Sequence, residues 1–120
     1  IIAYWPRVRL DAYLSTHPLL PRTPNSITSK SALLEELAVS RAEGVSVDNE
    51  ENQVGVVSFS GPVFNLECDV IAAISVGILS AKLTESMKSD MIADIKLCSQ
   101  ELSRQMGYTG KEFPPFVLCD

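Results

Sequence analysis

The apolar residues in the first third of the chain recur at helical spacing. One such stretch covers residues 9–16 and ends before Pro18, because the residue preceding a proline avoids helical geometry. A second stretch runs from Ser29, whose hydroxyl can cap a helix start, to Glu43. Gly44 follows it and can take the left-handed conformation found at helix ends. The pattern predicts two helices joined by an extended, proline-containing connection.

The middle of the chain changes to alternating apolar residues, which are typical of strands. A short strand over residues 45–48 leads through an acidic turn into two longer strands, 54–64 and 70–78. Thr84 and Gly107 then delimit the clearest helix of the chain. Six apolar residues at steps of three and four are expected to pack this helix on the sheet. They are Met87, Met91, Ile95, Cys98, Leu102 and Met106.

The two longer strands form an antiparallel hairpin whose register follows from its apolar positions. Pairing Val63 with Val70 brings the apolar faces together, since a slip of one residue would turn every side chain to the other face. This register places Ser58 opposite Ser75 on the second face. Pro62 could change it, because a proline inside a strand indicates an edge or a bulge. Two further pairs are expected on that face: Val56 with Gly77, and Ser60 with Ala73.

The second face of the hairpin carries small side chains, several of them with hydroxyl groups. Small residues leave room where large ones would fill it, and a hollow with a few placed polar groups is typical of a small-ligand pocket. Serines on a strand can equally be the solvated face of a sheet. Pattern alone therefore leaves both interpretations open. Helices packed on an antiparallel sheet make the fold class α+β.

Composition narrows the possible functions. The net charge of −5 argues against direct binding to a nucleic-acid backbone by this chain. A single histidine, His17, is too few for a usual zinc site, and no glycine-rich phosphate loop occurs, so neither metal nor cofactor is expected. The longest apolar run is far shorter than the roughly 20 residues that span a bilayer, so no membrane is expected. Three scattered cysteines favour the reduced cytoplasm.

The central part of the chain resembles the signature of the IclR effector-binding domain. Residues 33–65 contain a Leu-rich helix that ends in Arg-x-x-Gly, a strand that ends in Asp48, the pair Glu50 and Glu51, a glycine, and a strand with Pro-Val. The strand at 70–78 is similar to the family's serine-containing strand. The lead Thr-Pro-x-Ser-Ile-Thr and the long last helix agree as well. The resemblance covers residues 1 to 108.

The resemblance implies a fold, an activity and partners. It implies a curved antiparallel sheet flanked by helices, as in GAF and PAS sensor domains, that cups a small-molecule effector such as an organic acid. It further implies a homodimer or homotetramer whose DNA affinity changes with effector binding. DNA would be bound only by a winged helix-turn-helix that is not in this sequence. Residues 1–108 would then be a partial effector-binding domain whose first strands are missing, and 109–120 a C-terminal tail.

Five positions match the residues that line the family's ligand pocket, and they are Asp48, Val56, Ser58, Ser75 and Gly77. Ser58 stands where the family has a cysteine, which makes the position a stronger hydrogen-bonding group. Gly77 replaces a serine and adds space. Two other functions stay open from the residues alone. One is an enzyme that uses Asp48, the two glutamates or Ser58, although no G-x-S-x-G motif is present. The other is a structural dimerisation module.

Overall fold

A computed structural model of the chain describes residues 1–115 and shows an α+β fold. Its α-helices and strands follow in the order helix, helix, three strands, helix. The helices are α1 (Arg7–Thr16), α2 (Lys30–Glu43) and α3 (Glu85–Gln105). The strands are β1 (Ser46–Asn49), β2 (Val56–Phe64) and β3 (Val70–Leu79), and they form an antiparallel sheet in the order β1-β2-β3. The end of the predicted tail, residues 116–120, lies outside the described residues.

The helix boundaries follow the capping residues that the sequence predicts. The Ser29 hydroxyl accepts a hydrogen bond from the Ala32 N–H at the start of α2, and Gly44 ends that helix with φ +69°. The Thr84 hydroxyl caps α3 in the same way. The apolar start of the chain forms a single 3-10 turn over Ile2–Tyr4. Its buried residues attach it to α2.

Helix α3 covers one face of the sheet and makes a core there. Val57, Phe59 and Val63 of β2 are buried on this side, as the hairpin pattern predicts. Ile95 of α3 packs into the same cluster. The helix approaches β2 very closely at Gly61, where an added Cβ would lie only 2.7 Å from the hydroxyl oxygen of Ser99. This face is therefore closed.

The predicted inward stripe of α3 is partly wrong. Met87 and Met106 are 38% and 47% exposed, and Cys98 is exposed as well, whereas Ser99 and Ser103 are fully buried. Serines occupy these positions because small side chains allow the backbones of α3 and β2 to approach closely. Their hydroxyls are also needed for hydrogen bonds to the strand, which hydrophobic periodicity does not reveal.

Those two serines satisfy backbone groups of β2. The Ser99 hydroxyl donates to the Pro62 carbonyl, and the Ser103 oxygen accepts the Phe64 N–H over 3.0 Å. Buried backbone groups need such partners, because leaving them unpaired is costly. Pro62 lies beyond Ser60, where pairing with β1 ends, so β2 has a neighbouring strand on one side only at the proline.

The predicted hairpin register is wrong by two residues. Ser58 lies opposite Gly77, and Ser60 lies opposite Ser75. Val56 accordingly faces Leu79. The turn is one residue longer than expected, and a bulge between residues 63 and 64 adds the second shift. Because side chains alternate with a period of two, this double shift leaves Ser58, Ser60, Ser75 and Gly77 together on one face, as predicted. Val70, which pairs with Phe64 beyond the bulge, packs instead in the cluster around Phe64.

The opposite face of the sheet is covered only in part. A second core cluster combines Tyr4, Leu37, Phe64 and Tyr108, and the Phe113 ring packs against the last two. This cluster lies at one end of the sheet. The middle of the face, with its small residues, is left accessible.

Candidate functional site

The five residues predicted to line a pocket lie on one face of the sheet. Asp48 of β1, Ser58 of β2 and Gly77 of β3 are directly opposite one another and form a row across all three strands. Val56 and Ser75 lie in the rows on either side. A Cβ added at Gly77 would lie 3.9 Å from the Ser58 Cβ, which confirms that these positions share a side. We call this set the hydroxyl face.

Burial along the hydroxyl face decreases from β1 to β3. Asp48, Val56 and Ser58 are half-buried, whereas Ser75 and Gly77 are exposed. Among residues 1–115, the atoms within 4 Å of a Cβ added at Gly77 belong to Val56, Val57 and Ser58 of β2. The described residues therefore form a surface of small side chains that is open above β3.

Ser75 is held by a neighbouring serine. The Ser60 hydroxyl donates a hydrogen bond to the Ser75 oxygen, with 2.9 Å between the two oxygens. This leaves the hydrogen of Ser75 available to donate onward, and a hydroxyl that accepts one hydrogen bond is a stronger donor. The pair can present an O–H group to an anionic or carbonyl oxygen.

Asp48 has a structural role at the end of β1. Its Oδ1 accepts hydrogen bonds from the Glu51 N–H at 2.8 Å and the Asn52 N–H at 3.4 Å. These bonds hold the acidic turn that leads into β2. Within residues 1–115, Oδ2 has no such partner. Asp48 can therefore form the turn and still offer an acceptor to the hydroxyl face.

A cavity of about 350 Å³ lies next to Asp48, between α2, β1 and the proline-containing connection. Leu33 and Leu37 of α2 and Val47 of β1 form part of its apolar wall. The connection is fixed over the acidic turn, since the Ser26 hydroxyl donates to the Glu51 carbonyl over 2.6 Å. We call this space the α2 cavity. Its volume is in the range of small-molecule sites.

The α2 cavity also has a polar lining. It contains the carboxylates of Glu36, Asp48 and Glu51, together with Arg22 and the hydroxyl of Ser40. Burial, the largest cause, raises the pKa of Glu51. The nearby carboxylates of Asp48 and Glu36 raise it further, and a hydrogen bond from the backbone of Asn49 opposes the change.

Comparison with protein families identifies the family to which this chain belongs. Residues 1–104 match the family described as bacterial transcriptional regulator IclR, C-terminal. This chain is a member of that family. It is 32% identical over 108 residues to the HTH-type transcriptional regulator XynR of Escherichia coli K12, a match that covers 90% of this chain and 43% of XynR.

Solved structures of IclR-type regulators have the same fold. The Thermotoga maritima IclR structure matches with a TM-score of 0.84 and 35% identity, over 90% of this chain and 44% of that one. The PobR inducer-binding domain from Acinetobacter matches with a TM-score of 0.75 and 20% identity, over 87% of this chain and 58% of that one, which shows the fold alone. The chain thus spans less than half of XynR and of the Thermotoga protein.

The paired glutamates of the IclR signature are both tied to the turn. Glu50 takes a left-handed conformation, with φ +57°, and its Oε1 accepts hydrogen bonds from the Gly55 N–H and the Ser80 hydroxyl. It therefore fastens the β1–β2 turn to the end of β3. His17 stacks on Tyr13 at the end of α1 and does not line the cavity.

Sequence reasoning missed the α2 cavity. Arg22 and Ser26 come from a connection whose path no periodicity predicts, and their contacts to the acidic turn are made across about 25 to 30 residues. Ser40 was detectable, because it follows Leu33 and Leu37 at the spacing of the inward face of α2. A serine at such a position indicates a polar contact inside the fold.

The described residues contain no cluster of three or more His, Cys, Asp or Glu side chains placed to hold a metal ion. Among residues 1–115, moreover, no helix combines the length and apolar character that crossing a membrane requires.

Proposed function

We propose that this IclR-type chain is the effector-binding part of a DNA-binding transcription regulator, and that its ligand is a small organic acid or a related metabolite. The observation that carries the proposal is the row of Asp48, Ser58 and Gly77 across three strands, beside the Ser60–Ser75 hydrogen bond. It is a floor of small side chains with placed polar groups, and large side chains do not fill it.

The chemistry of the hydroxyl face suits an acid that also carries a hydroxyl group. Ser58 and Ser75 can donate to a carboxylate, because their O–H groups are donors as well as acceptors. Asp48 can accept from the hydroxyl of the same ligand through Oδ2. A double mutant of the PobR inducer-binding domain has been solved in complex with 3-hydroxybenzoic acid, which has both groups. We infer the same class of ligand here.

Regulation requires that the effector prefer one assembly state over another. A ligand with equal affinity for two states shifts neither, so we propose a homodimer or homotetramer whose geometry changes when the site fills. DNA contact would come from a winged helix-turn-helix, since this chain carries a net charge of −5. We further propose that the chain is not an enzyme and acts in the cytoplasm, as transcription regulators do.

A thermal-shift screen of the full-length protein tests the proposal. We expect at least one small organic acid to raise the Tm, and the panel includes 3-hydroxybenzoate. Binding adds RT ln(1 + [L]/Kd) to the free energy of unfolding, so the Tm should increase with ligand concentration. No product should appear on prolonged incubation, whereas an enzyme would convert the compound. A structural dimerisation module would respond to none of the acids.

A matched pair of variants tests whether the ligand that raises the Tm binds at the hydroxyl face. Ser58→Leu fills the hydroxyl face and should abolish the ligand-induced shift while the fold survives, because the position is half-buried at an open site. Ser86→Leu makes the same change on the exposed start of α3 and should keep the shift. A normal response in Ser58→Leu would show that the effector binds elsewhere.

A further inference from the structure

Another cavity, of about 230 Å³, lies where the apolar start of the chain meets α1 and α2. Unlike the α2 cavity, it is lined by no carboxylate of residues 1–115. Its charged groups are the guanidinium groups of Arg7 and Arg41, in a chain whose net charge is −5. We call this space the arginine cavity. Its other walls include Trp5, Leu10, Leu34 and Ala38.

Arg41 is the arginine of the Arg-x-x-Gly pattern at the end of α2, and it is fixed by the start of the chain. Its Nε donates a hydrogen bond to the Ala3 carbonyl over 2.7 Å, and its own carbonyl accepts the Tyr4 hydroxyl over 3.5 Å. A guanidinium has five N–H groups, so four remain for other acceptors. The ion pairs described within residues 1–115 do not include Arg41.

The unpaired charge of Arg41 indicates a ligand of opposite charge. Arg41 is half-buried, and moving a charge out of water is unfavourable unless a counter-charge pairs with it. A guanidinium is planar and can donate two parallel hydrogen bonds to one carboxylate. Arg7 is more exposed, and its Nε already donates to Asp11 over 3.0 Å. We therefore expect Arg41 to make the main contact and Arg7 to add positive charge.

Trp5 forms an apolar wall of the arginine cavity and is held in place by two neighbours. The guanidinium carbon of Arg9 lies 4.0 Å from the centre of the Trp5 ring, and the Tyr13 ring meets it edge-on, with 5.7 Å between centroids. Leu10 and Leu34 add further apolar surface. The volume is below the roughly 300 Å³ at which sites for drug-sized ligands begin, so a small ligand fits.

We propose that the arginine cavity binds a small carboxylic acid with a compact apolar body, at a second site separate from the hydroxyl face. The carboxylate pairs with Arg41 and Arg7, and the body packs against Trp5 and Leu34. None of the hydroxyl-face residues lines this cavity. Its walls come from the chain start, α1 and α2, whereas the hydroxyl face belongs to the three strands.

Titration of the full-length protein with benzoate and benzamide tests the proposal, because the two compounds share a shape and differ in charge. Trp5 is the only tryptophan of this chain, so its indole N–H signal in NMR, assigned with Trp5→Phe, reports on the cavity. We expect a saturable shift with benzoate and a much smaller one with benzamide. Inorganic phosphate should leave the signal unchanged, because it has no apolar body to bury. An unchanged signal with benzoate, or an equal shift with benzamide or phosphate, would overturn the proposal.

Variants of the cavity walls separate a ligand contact from a structural role. Arg41→Gln should weaken benzoate about tenfold or more, the usual effect of losing hydrogen bonds to a charged group. Arg7→Gln should weaken it about two- to fivefold, as expected for an exposed charge. Ala38→Leu fills the cavity with a residue that suits a helix and should abolish the shift.

The control is Arg104→Gln, which removes an exposed arginine from the last turn of α3 and should keep the wild-type affinity. If Arg41→Gln does not fold, Ala38→Leu decides. Unchanged affinity in either variant, once folded, would show that benzoate does not occupy the arginine cavity.

The Ser58→Leu variant distinguishes the arginine cavity from the hydroxyl face. An acid in the arginine cavity should raise the Tm of the wild type and of Ser58→Leu alike, and Arg41→Gln should remove that rise. An effector at the hydroxyl face should show the reverse dependence, so the two proposals fail separately. Loss of the Trp5 shift in Ser58→Leu would mean a single site and would overturn the proposal of a second one.

Discussion

Ser60 and Ser75 lie directly opposite each other on β2 and β3, and the Ser60 hydroxyl donates to the Ser75 oxygen over 2.9 Å. This pairing identifies the register of the hairpin, because hydroxyls two residues out of line could not meet at that distance. It also orients the donor that we assign to the effector. The register and the chemistry of the site therefore depend on the same contact.

Engineered disulfides test this register. Directly opposed residues of antiparallel strands have Cα atoms about 4.5–5.5 Å apart, whereas diagonal neighbours are about 7–8 Å apart. Disulfides form in the shorter range. In a background without the native cysteines, we expect Ser60→Cys with Ser75→Cys to form a bridge under mild oxidation. Mass spectrometry and thiol titration measure this.

The matched control uses the register that the sequence pattern alone favours. Ser58→Cys with Ser75→Cys should stay reduced under the same conditions, since Ser58 faces Gly77. Preferential oxidation of this second pair would contradict the register described here.

Two glycines that lie on opposite faces of the hairpin should respond differently to alanine. A Cβ at Gly61 would lie 2.8 Å from the Ser99 Cβ, so Gly61→Ala should lower the free energy of unfolding by about 1–3 kcal/mol through overpacking. A Cβ at Gly77 meets nothing closer than 3.8 Å. Gly77→Ala should be neutral or stabilising by up to about 1 kcal/mol, because alanine loses less conformational entropy than glycine when the chain folds. Urea unfolding measures the free energy of unfolding of both variants. An equal loss in the two variants would contradict the assignment of Gly61 and Gly77 to opposite faces of the sheet.

The hydrogen bond from the Phe64 N–H to the Ser103 hydroxyl should contribute to stability, because both residues are fully buried. Ser103→Ala leaves a buried backbone donor unpaired, and we expect a loss of about 1–3 kcal/mol in the free energy of unfolding. Ser89→Ala, an exposed serine of the same helix, should lose nothing. A stable Ser103→Ala variant would mean that the N–H finds another partner.

Glu51 should make stability depend on pH. Its pKa is raised in the folded state mainly by burial, so the folded protein binds this proton more tightly than the unfolded chain. The stability associated with the protonated group is complete below the unfolded pKa and is lost as the pH rises through the raised value. Glu51→Gln should therefore be more stable than the wild type at about pH 7.5 and similar at about pH 4.

The charges that act on Glu51 come from separate elements: Glu36 from α2, and Asp48 from the end of β1. Glu35→Gln, which removes an exposed carboxylate of α2 that does not line the cavity, is the control and should show no comparable difference between the two pH values. Chemical unfolding at both pH values measures this. A Glu51→Gln variant that is less stable at neutral pH would show that the carboxylate is stabilising as an anion.

The candidate site could be predicted in part because one of its properties is local. Whether Ser58 and Ser75 share a face depends only on the alternation of side chains, so the prediction survived a register that was wrong by two residues. Which residue lies opposite Ser58 depends on the turn and on the bulge at residues 63 and 64, and these are set by local backbone geometry that the apolar pattern does not encode.

The sequence by itself determined the α+β class, the helix caps at Ser29 and Thr84, and the small residues that share one face of the hairpin. Each of these follows from neighbours within a few positions. Only the tertiary structure decided that Ser99 and Ser103 would be buried on α3 and that Arg22 and Ser40 would border one cavity. Such outcomes depend on how closely two distant backbones approach and on which polar groups they leave to be satisfied, and no local periodicity records either.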